Sequence, residues 1–211
     1  MKSKINEINL EESYKDLMAY QSRFDFDFFV FTVSAALVCF FGFVMDNASI
    51  VIGAMVLSPL LYPIIAIPAA FFRKDWKNFK NSLLLLGSGY LLVILLSWIL
   101  SLLIEVRLES LEIVNWIAVN HLMFFLVAFF SGLAGCFCFF WPRASSSMTG
   151  VAISIALLPP LVAFGISLSS STSLSSDTLA VIMLNSIGIF LGSTLVLATF
   201  FKLKKRGIIQ K

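Results

Sequence analysis

Apolar positions in this chain come in long blocks separated by short polar stretches, not on the short beat of a half-buried strand or helix. Six blocks, 26–44, 48–72, 82–104, 122–141, 148–168 and 178–201, approach or exceed the length that crosses a ~30 Å hydrocarbon core, about 20 helical residues. Backbone polar groups in lipid must be paired within the segment, so blocks of this length predict helices. The expected fold is all-α: a polytopic membrane protein with six transmembrane helices. Residues 1–25 read as a polar leading segment and 26–104 as three spans. Residues 105–121 form a connection, 122–201 three further spans, and 202–211 a basic tail.

Composition removes the alternatives. Hydrophobic residues make up 59% and charged residues 13%, with a mean hydropathy of +0.96. A typical soluble domain is about 25% charged, and 211 residues enclose too little interior to hide this much apolar surface. A soluble enzyme, a nucleic-acid binder and a disordered chain are all disfavoured, and membrane lipid is the expected surrounding. Fourteen of the 15 Lys and Arg lie before span one, between spans two and three, between four and five, or after six; Arg107 alone lies in the alternate loops. Basic loops stay in the cytoplasm. Both termini are therefore expected there, in the plasma or inner membrane. The first 25 residues lack the apolar core of a cleaved signal peptide.

The polar pieces read as supports. Leu10, Tyr14, Leu17, Met18, Gln21 and Phe24 fall near one helical face, with Asn9 and Glu12 spaced as a capping box. This predicts an interfacial helix ahead of span one. Trp76 and Phe79 among lysines repeat the pattern, residues 105–120 suit a short outer helix, and the Ser-rich stretch 169–177 suits a flexible outer loop.

Spans two and five carry prolines in corresponding places. The second reads Gly53-Ala54-Met55-Val56-Leu57-Ser58-Pro59-Leu60-Leu61-Tyr62-Pro63, with Pro68 beyond; the fifth has Thr149-Gly150-Val151, then Ala156-Leu157-Leu158-Pro159-Pro160-Leu161. Gly53 and Gly150 are the matching helix-break or packing glycines. Each half is three spans with the proline-bearing one in the middle, and a three-span unit repeated in tandem enters the membrane from opposite sides. That is a 3+3 inverted repeat with broken helices, a recurring transporter design. A proline removes a backbone donor and obstructs the carbonyl four residues earlier. The carbonyls of Met55, Pro59, Ile64, Ile155 and Ala156 are the ones expected to be freed. They either line a polar midplane site or are met by Ser58, Tyr62 or a neighbouring helix.

The motif Asp46-Asn47, Ile50 to Leu60 and Pro63-Ile64 resembles the prokaryotic family of uncharacterised hydrophobic domains, domain of unknown function 389. So do Asp75-Trp76 with Ser82, Gly150 to Ile153, Ala156 to Leu161, and Leu184-Asn185. The resemblance covers roughly 30–201 and implies a polytopic membrane protein without naming a substrate. Many relatives carry an extra soluble domain that has no counterpart here.

No ionisable residue falls mid-span: Asp25 and Asp27 sit at one edge, Asp46 and His121 at the other. This disfavours a carboxylate proton relay and a voltage sensor. Without a Ser-His or paired-Asp arrangement at depth, no enzyme is expected. Cys39, Cys136 and Cys138 lie in apolar blocks with no ligand partner, so neither a metal site nor another cofactor is expected. Gly87, Ser88, Gly89, Gly188 and Gly192 read as packing seams. Asn185 is either interhelical glue or a ligand contact. The reading is a transporter or channel for a small solute, with Ser58, Pro59, Pro63, Pro159, Pro160 and Asn185 as substrate-binding candidates. The alternative is a non-transporting membrane module that binds a protein partner or lipid. A homodimer is the expected oligomer.

Overall fold

The structure is a computed structural model that describes residues 10–21, 26–104, 106, 121–141, 157–169 and 174–205. These residues form eight helices: α1 (Leu10–Gln21), α2 (Phe26–Val44), α3 (Ala48–Leu57), α4 (Leu61–Phe72), α5 (Trp76–Leu103), α6 (His121–Phe140), α7 (Leu158–Ser167) and α8 (Leu174–Lys205). Among the described residues, α2, α5, α6 and α8 are each long and apolar enough to cross a membrane. Taken together, α3 and α4 are also apolar and long enough to do so, as one broken span or a re-entrant pair bent by 46° at the break, while α7 is a shorter apolar helix. The chain is a multi-pass, all-α membrane protein.

Two corners of the first half are built alike. At each, a non-glycine residue takes a left-handed conformation and the next residue caps the following helix. Asp46 (φ 45) ends α2, with the Asn47 N–H reaching back to the Gly42 carbonyl at 2.9 Å. Asn47 Oδ1 then accepts from the Ser49 and Ile50 amides at 3.0 and 3.3 Å, satisfying first-turn donors of α3. Lys74 (φ 57) ends α4, with the Asp75 N–H on the Ala70 carbonyl at 3.0 Å, and Asp75 Oδ1 accepts from the Asn78 amide at 3.2 Å. Both corners are the αL helix ending followed by an acceptor cap. The cap at Asp75 also corrects the sequence reading: Trp76 and Phe79 belong to the first turn of α5, not to a separate interfacial piece. At the other end of the chain, Leu174 to Asp177 is already helix, so the Ser-rich stretch is a shorter connection than expected.

The core is built on the two short proline-headed helices. Nine of the ten residues of α7 are buried, as are nine of the twelve in α4. By contrast α3 buries only Val51 and Ala54. Both α4 and α7 pack against α5 and against α8. In addition α4 touches α6, α7 touches α2 and α3, α2 packs on α5, and α6 packs along α8. The last pair approaches closely through small residues. A Cβ on Gly132 would stand 2.5 Å from the Ile189 carbonyl, one on Gly188 would stand 2.9 Å from Ala128, and Gly192 lies against the Phe129 carbonyl. Ser193 Oγ donates to the Gly132 carbonyl at 3.2 Å across the same seam.

Candidate functional site

At the break of span two, α3 stops at Leu57 and α4 begins at Leu61. The Ser58 N–H donates to the Met55 carbonyl at 3.3 Å and the Tyr62 N–H to the Pro59 carbonyl at 3.4 Å. Two of the carbonyls expected to be free therefore take shorter i+3 bonds, which is how a chain satisfies its backbone where a proline forbids the longer one. Pro63 falls in the first turn of α4, where no intrahelical donor is required. Among the described prolines only Pro68 stands inside a helix, taking from the Ile64 carbonyl its usual donor. Pro159 and Pro160 occupy the first turn of α7, where a missing backbone amide costs a helix little. Ile155, Ala156 and Gly150 lie outside the described residues. Gly53 is exposed, with nothing among the described residues within 4 Å of where its Cβ would be.

What remains at the break is a hydroxyl. Ser58 Oγ is buried and has no hydrogen-bond partner among the described residues. The centre of α5 lies beside it. A Cβ on Gly89 would stand 2.8 Å from Leu60 Cδ2, so a glycine is what lets the α5 backbone approach the break. One residue on, the Tyr90 hydroxyl lies 2.9 Å from Ser186 Oγ on α8, and Ser186 Oγ also donates to the Ile182 carbonyl at 2.7 Å. Asn185, adjacent to Ser186, is 2% exposed. The break, Gly89–Tyr90 and Asn185–Ser186 therefore share one level of the bundle.

Further along α5, α7 is pressed equally close. A Cβ on Gly165 would stand 2.6 Å from the Ile94 carbonyl and 2.7 Å from Ser97 Cβ. Ser97 Oγ is buried and, among the described residues, unpartnered.

A second polar cluster lies at one end of the bundle. Tyr14, Leu17 and Met18 are the buried face of α1, as its apolar spacing predicted. Burying Leu17 and Met18 is worth roughly 1.5–3 kcal/mol each. Glu11 Oε1 accepts from Arg73 Nη2 at 2.8 Å and from Lys204 Nζ at 3.3 Å, joining the end of α4 to the last turn of α8 through α1. The Arg73 guanidinium sits 4.4 Å above the Tyr14 ring, and the Tyr14 hydroxyl donates to Asp75 Oδ2 at 3.0 Å. The Arg73 hydrogen bond holds the Glu11 carboxyl below its usual range. The Asn78 backbone N–H does the same for Asp75, and burial pushes Tyr14 up to about 12. Asn9 and Phe24, the rest of the expected capping and face residues, lie outside the described residues, as does the 107–120 connection.

Sequence reasoning singled out Ser58 and Asn185 but missed Tyr90 and Ser186. Both had a signal: a tyrosine directly after Gly87-Ser88-Gly89 within an apolar block, and a second polar residue beside Asn185. Among the described residues no three His, Cys, Asp or Glu side chains are grouped to hold a metal ion.

Residues 55–191 match the family described as "Domain of unknown function (DUF389)". The chain is 28% identical over 169 residues to an uncharacterised protein, MJ0678, of Methanocaldococcus jannaschii, covering 80% of this chain and 52% of that one. It thus spans about half the length of that relative. No solved structure matches it.

Proposed function

Because this chain belongs to the family described as domain of unknown function DUF389, a name that assigns no activity, we propose its function from its geometry. It is a transporter or channel for a small solute, whose site lies where the break of span two meets α5, α7 and α8. The observation that carries the reading is the shared level of the Ser58–Leu60 break, Tyr90 and Asn185, fixed by the Gly89–Leu60 approach and the Tyr90–Ser186 hydrogen bond. Six spans require α7 to run in the direction of α5. Gly165 faces Ile94 and Ser97, so at a rise of about 1.5 Å per residue Leu158 lies about 10 Å back along α7, near the height of Gly89. Both proline breaks then open at one depth.

The arrangement of contacts supports a 3+3 inverted repeat. Exchanging the halves turns α4 against α5 into α7 against α8, and α4 against α8 into α7 against α5. It likewise turns α4 against α6 into α7 against α2, and α2 against α5 into α6 against α8; all eight contacts are present. Half-helices held between two repeats are how such proteins build a midplane site. Both termini are assigned to the cytoplasm. A single cysteine replacing Lys77 should label from inside and one replacing Ala48 from outside, in a background lacking Cys39, Cys136 and Cys138.

The test of function is uptake into proteoliposomes against a panel of small solutes and ions. Asn185→Leu should cut flux at least tenfold while the purified protein keeps its helical content and its monodisperse elution. A folded wild-type protein that moves none of the panel would replace this reading with the membrane module that binds a partner or lipid.

A further inference from the structure

Two hydroxyls at the level of the break have hydrogen-bonding capacity that no described residue uses. Ser58 Oγ is buried without a partner among the described residues. At Tyr90 the direction of donation follows from the chain of bonds. A serine hydroxyl has one proton, and that of Ser186 is placed on the Ile182 carbonyl at 2.7 Å. The 2.9 Å contact between Tyr90 and Ser186 must then be donated by Tyr90. Its proton is spent along α8, and its oxygen presents lone pairs alone, strengthened as acceptors by the bond it donates. Buried hydroxyls in this condition are usually completed by water or a ligand.

Charge is the other constraint. The Asp, Glu, Lys, Arg and His residues of the described long apolar helices lie near their ends: Asp27, Lys77, Lys80, His121, Asp177, Lys202, Lys204 and Lys205, none of them near Ser58, Tyr90 or Asn185 in sequence. An ion brought to this level meets no counter-charge and loses its hydration. We infer that the site takes a small uncharged solute that donates a hydrogen bond to the Tyr90 oxygen and exchanges one with the Ser58 hydroxyl, as a polyol or a primary amide does. This rests on the transport reading above.

The experiment measures permeability of proteoliposomes holding the full chain, by osmotic light scattering with glycerol and urea and by ion-sensitive dyes with potassium, sodium and chloride. Glycerol or urea should cross well above protein-free vesicles, with no ion flux. Tyr90→Phe and Ser186→Ala break the same bond between α5 and α8, but only the first removes the acceptor oxygen. Tyr90→Phe should therefore lower neutral-solute flux by about three- to tenfold, and Ser186→Ala by clearly less, at equal loss of thermal stability. Equal losses of flux in the two variants would make the bond merely structural and overturn the inference. Ion flux without neutral flux would overturn it while leaving the transport reading standing. No flux of any solute from a folded protein would overturn both.

Discussion

At Gly192 an added methyl would run into the Phe129 carbonyl and stand 2.8 Å from the Leu133 amide, both of them backbone that cannot swing aside. At Gly53 it would meet nothing within 4 Å. Gly192→Ala should therefore destabilise the protein by about 1–3 kcal/mol. Gly53→Ala should be neutral or stabilising by up to about 1 kcal/mol, since alanine is the better helix former. Thermal unfolding in detergent compares them, and a Gly53 variant as damaging as the Gly192 variant would refute the packing assignment. The sequence made both glycines look alike because spacing marks a face of small residues without saying which face has a neighbour. Gly87 and Gly89, two apart and so on opposite sides of α5, make the same point: one is open and the other carries the approach to Leu60.

For the elements, the apolar blocks already located the helices: 26–44 is α2 to the residue, and 48–72 is α3 and α4 on either side of Ser58 to Leu60. What the blocks could not give is the part played by each proline, since the same residue breaks a helix from inside and opens one from its first turn. Pro159 stands in the first turn of α7, a position at which a helix tolerates a missing amide. Pro159→Ala should change stability by less than about 1 kcal/mol. Pro68→Ala, inside α4, supplies the donor that the Ile64 carbonyl lacks. Hydrogen exchange followed by NMR should find the new amide at 68 strongly protected; a fast-exchanging amide there would show that α4 does not continue through that turn.

Across the whole molecule, the bonds that tie α1 down were beyond sequence reading, because Glu11 meets partners 62 and 193 positions away and no spacing rule pairs residues so far apart. Their pH dependence has a definite sign. The carboxyl groups of Glu11 and Asp75 are held below their ordinary values, so their contribution is complete above those values and is lost as the pH falls through the lowered ones. Tyr14, raised to about 12, contributes fully below its ordinary value and loses its share only as the pH rises through that figure. Docking of α1 should stay constant from about pH 5 to about pH 10 and loosen in acid. An environment-sensitive dye on a cysteine replacing the exposed Lys15 reads this, and Glu11→Gln should shrink the acid limb; a signal unchanged down to pH 3 would rule the account out. Further inside, the contacts α4 to α5, α5 to α7, α7 to α8 and α8 to α4 close on themselves. Four rods joined in a loop cannot slide one at a time. Displacing α7 at Gly165 obliges a compensating shift at another joint, including the one where Phe72 stacks on Phe201 with ring centres 5.5 Å apart. Any displacement of one proline-bearing helix is thereby geared to the other, and a cross-link at a single joint should immobilise the whole loop.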